Sequence, residues 1–149
     1  MRFEQTGTML KQLATAYHLK VRDLFIEFGE GDLSPRVRMM LDYLVDHEEK
    51  RAHALAEFCA ATSTKLLEHW HKGLEVEFPK MVETLLDDGC RYDLDSLIKV
   101  AVTYKQALID YYRYACEHAT DKKITVLFQQ LADQEEKALK RMIRHAQGL

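Results

Sequence analysis

A chain of 149 residues, 47% hydrophobic and 30% charged, is long enough for one domain with its own core. Its formal net charge of −3, with Lys and Arg scattered along the length, excludes an electrostatic nucleic-acid footprint. No apolar run approaches the ~18 residues of a membrane span, and no signal-peptide core follows Met1. Cys59, Cys90 and Cys116 are widely spaced with no Cys-x-x-Cys, which fits reduced thiols in a cytoplasm better than a disulfide frame or zinc knuckle. The expectation is a single cytoplasmic domain, 1–149, with neither membrane nor nucleic acid as partner.

Two prolines and six glycines leave the chain free to form long helices. The first is expected to start near Thr6 or Thr8 and to run to Phe28, because Leu10, Leu13, Tyr17, Val21, Leu24 and Phe28 recur at steps of three and four. Gly29-Glu30-Gly31-Asp32 ends it, and Ser34-Pro35 restarts the chain with a cap and a proline at the first helical position. The second helix carries Val37, Leu41, Leu44, Glu48, Ala52, Leu55 and Cys59 along one stripe, and extends toward Trp70 with a break near 60–63. Residues 72–92 read as a crossover, with a short helix over Pro79–Leu86 and a turn at Asp87-Asp88-Gly89. The third helix starts near Asp93 or Asp95, runs to His118 and turns Leu97, Ala101, Tyr104, Leu108, Tyr111 and Ala115 inward. Asp121 caps the fourth, whose stripe is Ile124, Leu127, Phe128, Leu131, Glu135, Leu139 and Met142.

The chain also repeats itself. Asp46-His47-Glu48-Glu49-Lys50-Arg51 is echoed 87 residues later by Asp133-Gln134-Glu135-Glu136-Lys137-Ala138. The same offset pairs Tyr17 with Tyr104, Ala14 with Ala101, Asp23 with Asp110 and Ser34 with Asp121. A register kept through helix, loop and helix reads as two copies of one helical hairpin. Two such hairpins and a long crossover predict an all-α fold, an antiparallel four-helix bundle of two repeated pairs.

Polar residues interrupt the inward stripes in repeat-related pairs. At about 100° per residue, Glu48 lies within roughly 40° of Leu44, Leu55 and Val37, while Glu49 turns about 100° toward the flank. Glu135 and Glu136 follow suit, and Tyr17 and Tyr104 sit on the centre lines of their stripes. Two carboxylates and two phenols are therefore expected to face one interior, although Glu-Glu-Lys is also a common string on solvated helix surfaces. Buried carboxylates need pairing, protonation or a metal. Arg51, one turn beyond Glu48, is expected either to bridge Glu48 and Glu135 through its guanidinium, with Tyr17 and Tyr104 donating to the remaining lone pairs, or to reach the bundle edge and pair with a surface acid. Of the histidines, His18 falls about 100° off its stripe, at the edge of the site. His47 points to the flank, His53 to solvent, His69 and His71 lie near the crossover, and His118 and His145 at helix ends.

The segments Leu44–Arg51 and Leu131–Ala138 resemble the second and fourth helices of ferritin-like, rubrerythrin-type carboxylate proteins, where an apolar lead-in precedes an acidic cluster and Glu-x-x-His. The resemblance covers residues 8–60 and 95–147, and implies the ferritin-like bundle and a site for two irons. Glu48 and Glu135 match the Glu of that motif. Arg51 and Ala138 stand where its His would be, and Tyr17 and Tyr104 stand where the first and third helices would supply Glu. The expected site is thus Tyr17, Glu48, Arg51, Tyr104 and Glu135, degenerate and without metal, cofactor or catalytic residue. Three functions compete. The first is a helical scaffold or interaction protein, forming a homodimer or larger homo-oligomer partly through Trp70, Phe78, Met81 and Leu85. The second is a rubrerythrin-like oxidoreductase with an altered iron or manganese site of Glu48, Glu135 and His18. The third is a small-molecule module using the polar centre as its pocket.

Overall fold

The computed structural model describes residues 2–73 and 93–149, and the expected helix at 79–86, the turn after it, and Cys90 lie outside them. The chain is mostly helical. Strand β1, Arg2–Gln5, leads into α1, Thr6–Gln12, which continues as a π-helical segment, Leu13–Leu19, and then as α2, Lys20–Phe28. The run ends at Gly29, and Gly31 in the following turn has φ 106°, a conformation that costs glycine least.

Helix α3 spans Pro35–Ala61, with Ser34 Oγ accepting the Val37 N–H at 3.3 Å. It stops at Thr62, whose backbone is extended and whose hydroxyl donates to the Phe58 carbonyl at 2.7 Å. A single turn, α4, Thr64–Leu67, follows under a Ser63 cap. The close approach of Gly7 in α1 places this turn: a side chain there would start 3.1 Å from Leu67 Cβ.

Trp70 does not extend the second helix. It begins strand β2, Trp70–Gly73, which pairs antiparallel with β1 in the register Arg2↔Gly73 to Gln5↔Trp70. Thr6 secures the end of this ladder, its N–H and its hydroxyl both donating to the His69 carbonyl at 2.9 and 3.0 Å. The sequence reading did not anticipate the ladder. Its strands lie far apart in the chain and are only four residues long, too short for a local alternation signal.

The second half is two long helices, α5, Leu94–His118, and α6, Lys122–Gln147. Asp93 caps the first through the Asp95 N–H, and Asp121 caps the second through the Lys123 and Ile124 N–H groups. The π-helical segment and α2 pack on α3, α5 packs on α6, and both pairs bury their apolar faces in one core. Leu10, Leu44, Leu97, Leu108, Ile124 and Phe128 are fully enclosed there. No helix among the described residues is long and apolar enough to cross a membrane.

The π-helical segment interrupts the first helical run without displacing its inward stripe, since Leu10, Leu13, Tyr17, Val21 and Leu24 are all buried. Its hydrogen bonds reach one residue further than in an α-helix, so each turn is wider and carries more residues. Two consecutive side chains, Tyr17 and His18, both point into the core there, as Tyr104 and Lys105 do from the regular helix α5.

Candidate polar core site

Each helical run delivers its polar residues to the same level of the core. Glu48 comes from the middle of α3, between Leu44 and Ala52, and Glu135 from the middle of α6, between Leu131 and Ala138; both are buried. Their neighbours Glu49 and Glu136 turn outward, with side chains 50% and 43% exposed, and pair with Arg22 at 3.5 Å and Arg113 at 2.7 Å.

The bridge between the two buried carboxylates is Lys105. Its ammonium, completely buried, lies 3.0 Å from Glu135 Oε2 and 3.3 Å from Glu48 Oε1. Arg51, expected in that role, engages Glu135 alone, donating from Nε to Oε1 at 2.9 Å with its side chain 14% exposed. The reason is geometric. Lys105 rises from α5 between the two acids, whereas Arg51 approaches Glu135 from the rim of α3.

His18 Nδ1 lies 2.6 Å from Glu48 Oε2. The carboxylate only accepts, so this nitrogen carries the proton and donates. His18 Nε2 lies 3.9 Å from Glu135 Oε1, is buried and has no hydrogen-bond partner. Tyr104 donates its phenol to Glu48 Oε1. Tyr17, expected to reach a carboxylate, donates to the Tyr104 backbone carbonyl at 2.6 Å and meets the Tyr104 ring edge-on, centroids 5.8 Å apart. Every oxygen of the two carboxylates thus has at least one donor, and the formal charges of Glu48 and Glu135 are met by Lys105 and Arg51.

The electrostatics follow from this closure. Burial pushes the Glu48 carboxyl up, but Lys105 and His18 more than offset it and hold it well below the usual carboxylate range. Glu135 is subject to the same opposition from burial, Lys105, His18 and Arg51, and falls to about 2. Burial lowers Lys105, but Glu135 and Glu48 together raise it above its ordinary value. Burial and the adjacent carboxylates hold the phenols of Tyr17 and Tyr104 well above theirs, and Tyr112 likewise, with Glu135 as its main charged neighbour. The two carboxylates are therefore ionised, and the phenols of Tyr17 and Tyr104 protonated, at neutral pH.

His47, expected at the flank, is buried with its Nε2 unpartnered. Burial first, then the Lys105 charge, lowers it to about 4. It stacks near Tyr43, which in turn stacks on His145 at 3.9 Å, so the face of α3 covered by α6 is wider than one stripe. His53 and His118 are exposed, the former paired with Glu57.

Sequence reasoning missed Lys105, yet two signals marked it. The 87-residue offset that relates Tyr17 to Tyr104 also relates His18 to Lys105. Accordingly His18 meets Glu48, and Lys105 meets Glu135, at the same separation of 30 residues. Ile109 and Tyr112, four and seven positions beyond Lys105, are buried with it on a second inward row of α5.

The donor set does not fit a pair of metal ions. Two carboxylates are present, an ammonium stands between them, and among the described residues no group of three or more His, Cys, Asp or Glu side chains is arranged to hold a metal ion. Comparison of the chain with protein-family models, with curated proteins and with solved structures finds no match in any of the three.

Lys105→Met leaves Glu48 and Glu135 without their common partner and is expected to destabilise the fold by about 3–5 kcal/mol at neutral pH. Arg51→Ala removes one charged hydrogen bond at the rim, and about 1.5–3 kcal/mol is expected. Urea denaturation of both variants checks the order, which reverses if Arg51 is the principal cation.

The pH profile should have two acid limbs. His47 is held below its unfolded value of 6.5, so its neutral form contributes stability above pH 6.5 that is lost as pH falls toward about 4. Glu48 and Glu135 are held below 4.5, so their contribution is full above that value and is lost as pH falls below it, that of Glu135 toward about 2. Thermal melts of wild type and His47→Leu between pH 7 and 3 should show that the variant loses the upper limb only.

Proposed function

We propose that this chain is a ferritin-like four-helix bundle of two repeated helix pairs, joined by a long crossover, in which a lysine takes the place of metal. On this reading the protein is a cytoplasmic scaffold or interaction protein rather than a di-iron enzyme. The observation that carries it is the Lys105 ammonium, 3.0 and 3.3 Å from the two inward glutamates. In the family that the sequence resembles, the space between those glutamates is where cationic charge is needed. A built-in, permanently tethered cation meets the same electrostatic requirement without metal, and leaves no carboxylate oxygen free to bind one.

The internal repeat is supported by the matched positions. Ser34 and Asp121 both cap helices, Tyr17 and Tyr104 touch, and His18 and Lys105 each serve the glutamate 30 residues further on. A second reading, an oxidoreductase with an altered iron or manganese site, draws support from the unpartnered Nε2 of His18 beside Glu135. The two differ in metal content. Protein purified without chelator or histidine tag should contain iron, manganese and zinc well below one equivalent per chain. Stoichiometric metal that raises the melting temperature would replace the first reading by the second.

Association into a homodimer or larger homo-oligomer belongs to the same proposal. Phe3 and Trp70 are among the most exposed large apolar side chains, and the ladder register sets them on the same face, diagonal to one another. Sedimentation velocity at micromolar concentration should show a species larger than the 17.4 kDa monomer, reduced to monomer by Trp70→Glu. Monomer alone in the wild type would remove this part of the proposal.

A further inference from the structure

A second site lies away from the polar core, where α3 ends, α4 turns and α6 begins. The three elements leave a cavity of about 700 Å³ between them, open on one side. Phe58, Ala61, Leu66, Val126 and Leu127 form its walls, and the aliphatic Val126, one turn into α6, is 44% exposed. Lys122 and Lys123, from the first turn of α6, line it as well. The lining includes no acid, and both lysines lack an ion-pair partner among the described residues. The acid nearest in sequence, Asp121, has its carboxylate turned into the helix as the cap of Lys123 and Ile124. On the opposite wall the Thr62 hydroxyl occupies the Phe58 carbonyl, which removes one acceptor from the end of α3.

An apolar cavity in the size range of small-molecule sites, with charge of one sign at one edge, selects for a molecule built the same way. We propose that this groove binds an amphipathic organic anion, its apolar body against Phe58, Leu66 and Val126 and its anionic head beside Lys122 and Lys123. The positive end of α6 adds to the attraction for the head. The chemistry is met by an aliphatic carboxylate or an aryl sulfonate alike. Nothing in the proposal depends on the occupant of the polar core.

The full chain is titrated with 8-anilinonaphthalene-1-sulfonate, and the bound dye is then displaced with decanoate or with decanol. A saturable rise in fluorescence, reversed by decanoate at lower concentration than by decanol, is expected. Lys122→Glu combined with Lys123→Glu changes only exposed side chains. It should weaken decanoate on the order of ten-fold while leaving decanol and the melting temperature unchanged. Val126→Trp, which fills the groove from an exposed position, should abolish displacement by both. Absence of saturable dye binding, or decanoate binding indifferent to both sets of substitutions, overturns the proposal. So does a Val126→Trp variant that loses self-association without any change in decanoate binding, since the groove would then be covered by a second copy of the chain.

Discussion

The ammonium of Lys105 is the constraint around which the interior is arranged. A bare pair of carboxylates at the level of Glu48 and Glu135 would be repulsive and poorly solvated, and one buried cation turns that cost into an attraction shared by three helices. The contacts cross between the helix pairs. Lys105 and Tyr104 of α5 reach Glu48 of α3, and Arg51 of α3 reaches Glu135 of α6. Apolar stripes alone tolerate sliding and rotation of one helix against another. Directional bonds at one level fix which faces meet and at what height.

Closure at the centre also explains the order of burial around it. The phenols of Tyr17 and Tyr104 and the ring of Phe25 fill the space beside Glu48, with Phe25 and Tyr104 centroids 5.8 Å apart. Water is thereby excluded, which strengthens each ionic contact and raises the penalty for removing any one partner. The unpartnered nitrogens of His18 and His47 are the exceptions.

Much of the fold was legible in the sequence because its signals are local. Ser34-Pro35 and Asp121 mark helix starts through their own backbone contacts, and the stripes of all four helical runs are buried where their 3.6-residue period puts them, with Phe28, Cys59 and Leu139 half-buried at the ends. Glu48 and Glu135 were visible because they occupy centre positions of those stripes. Lys105 was not, because a lysine one position off a stripe normally reaches solvent. Only the double inward row of α5, Leu108 with Ile109 and Tyr111 with Tyr112, encloses it. Arg51 was assigned the bridge from its position in a motif, which says nothing of a closer competitor on another helix. His18 was misplaced for the same reason as Lys105: it lies one position off its stripe, on a second inward row that the stripe alone does not mark.

The π-helical segment is in effect an α-helix holding one residue too many. Its flanks, α1 and α2, keep their phases because the surplus is absorbed between them. The segment is thus the place in this helical run where chain length can change by one without rotating anything else. Loss of a single residue there would let a regular helix close from Thr6 to Phe28, with Leu10 and Val21 still facing the core. The cost would fall inside the segment, where Tyr17 meets Tyr104 and His18 meets Glu48, so the polar centre would be edited by a change in length rather than by a change of residue type.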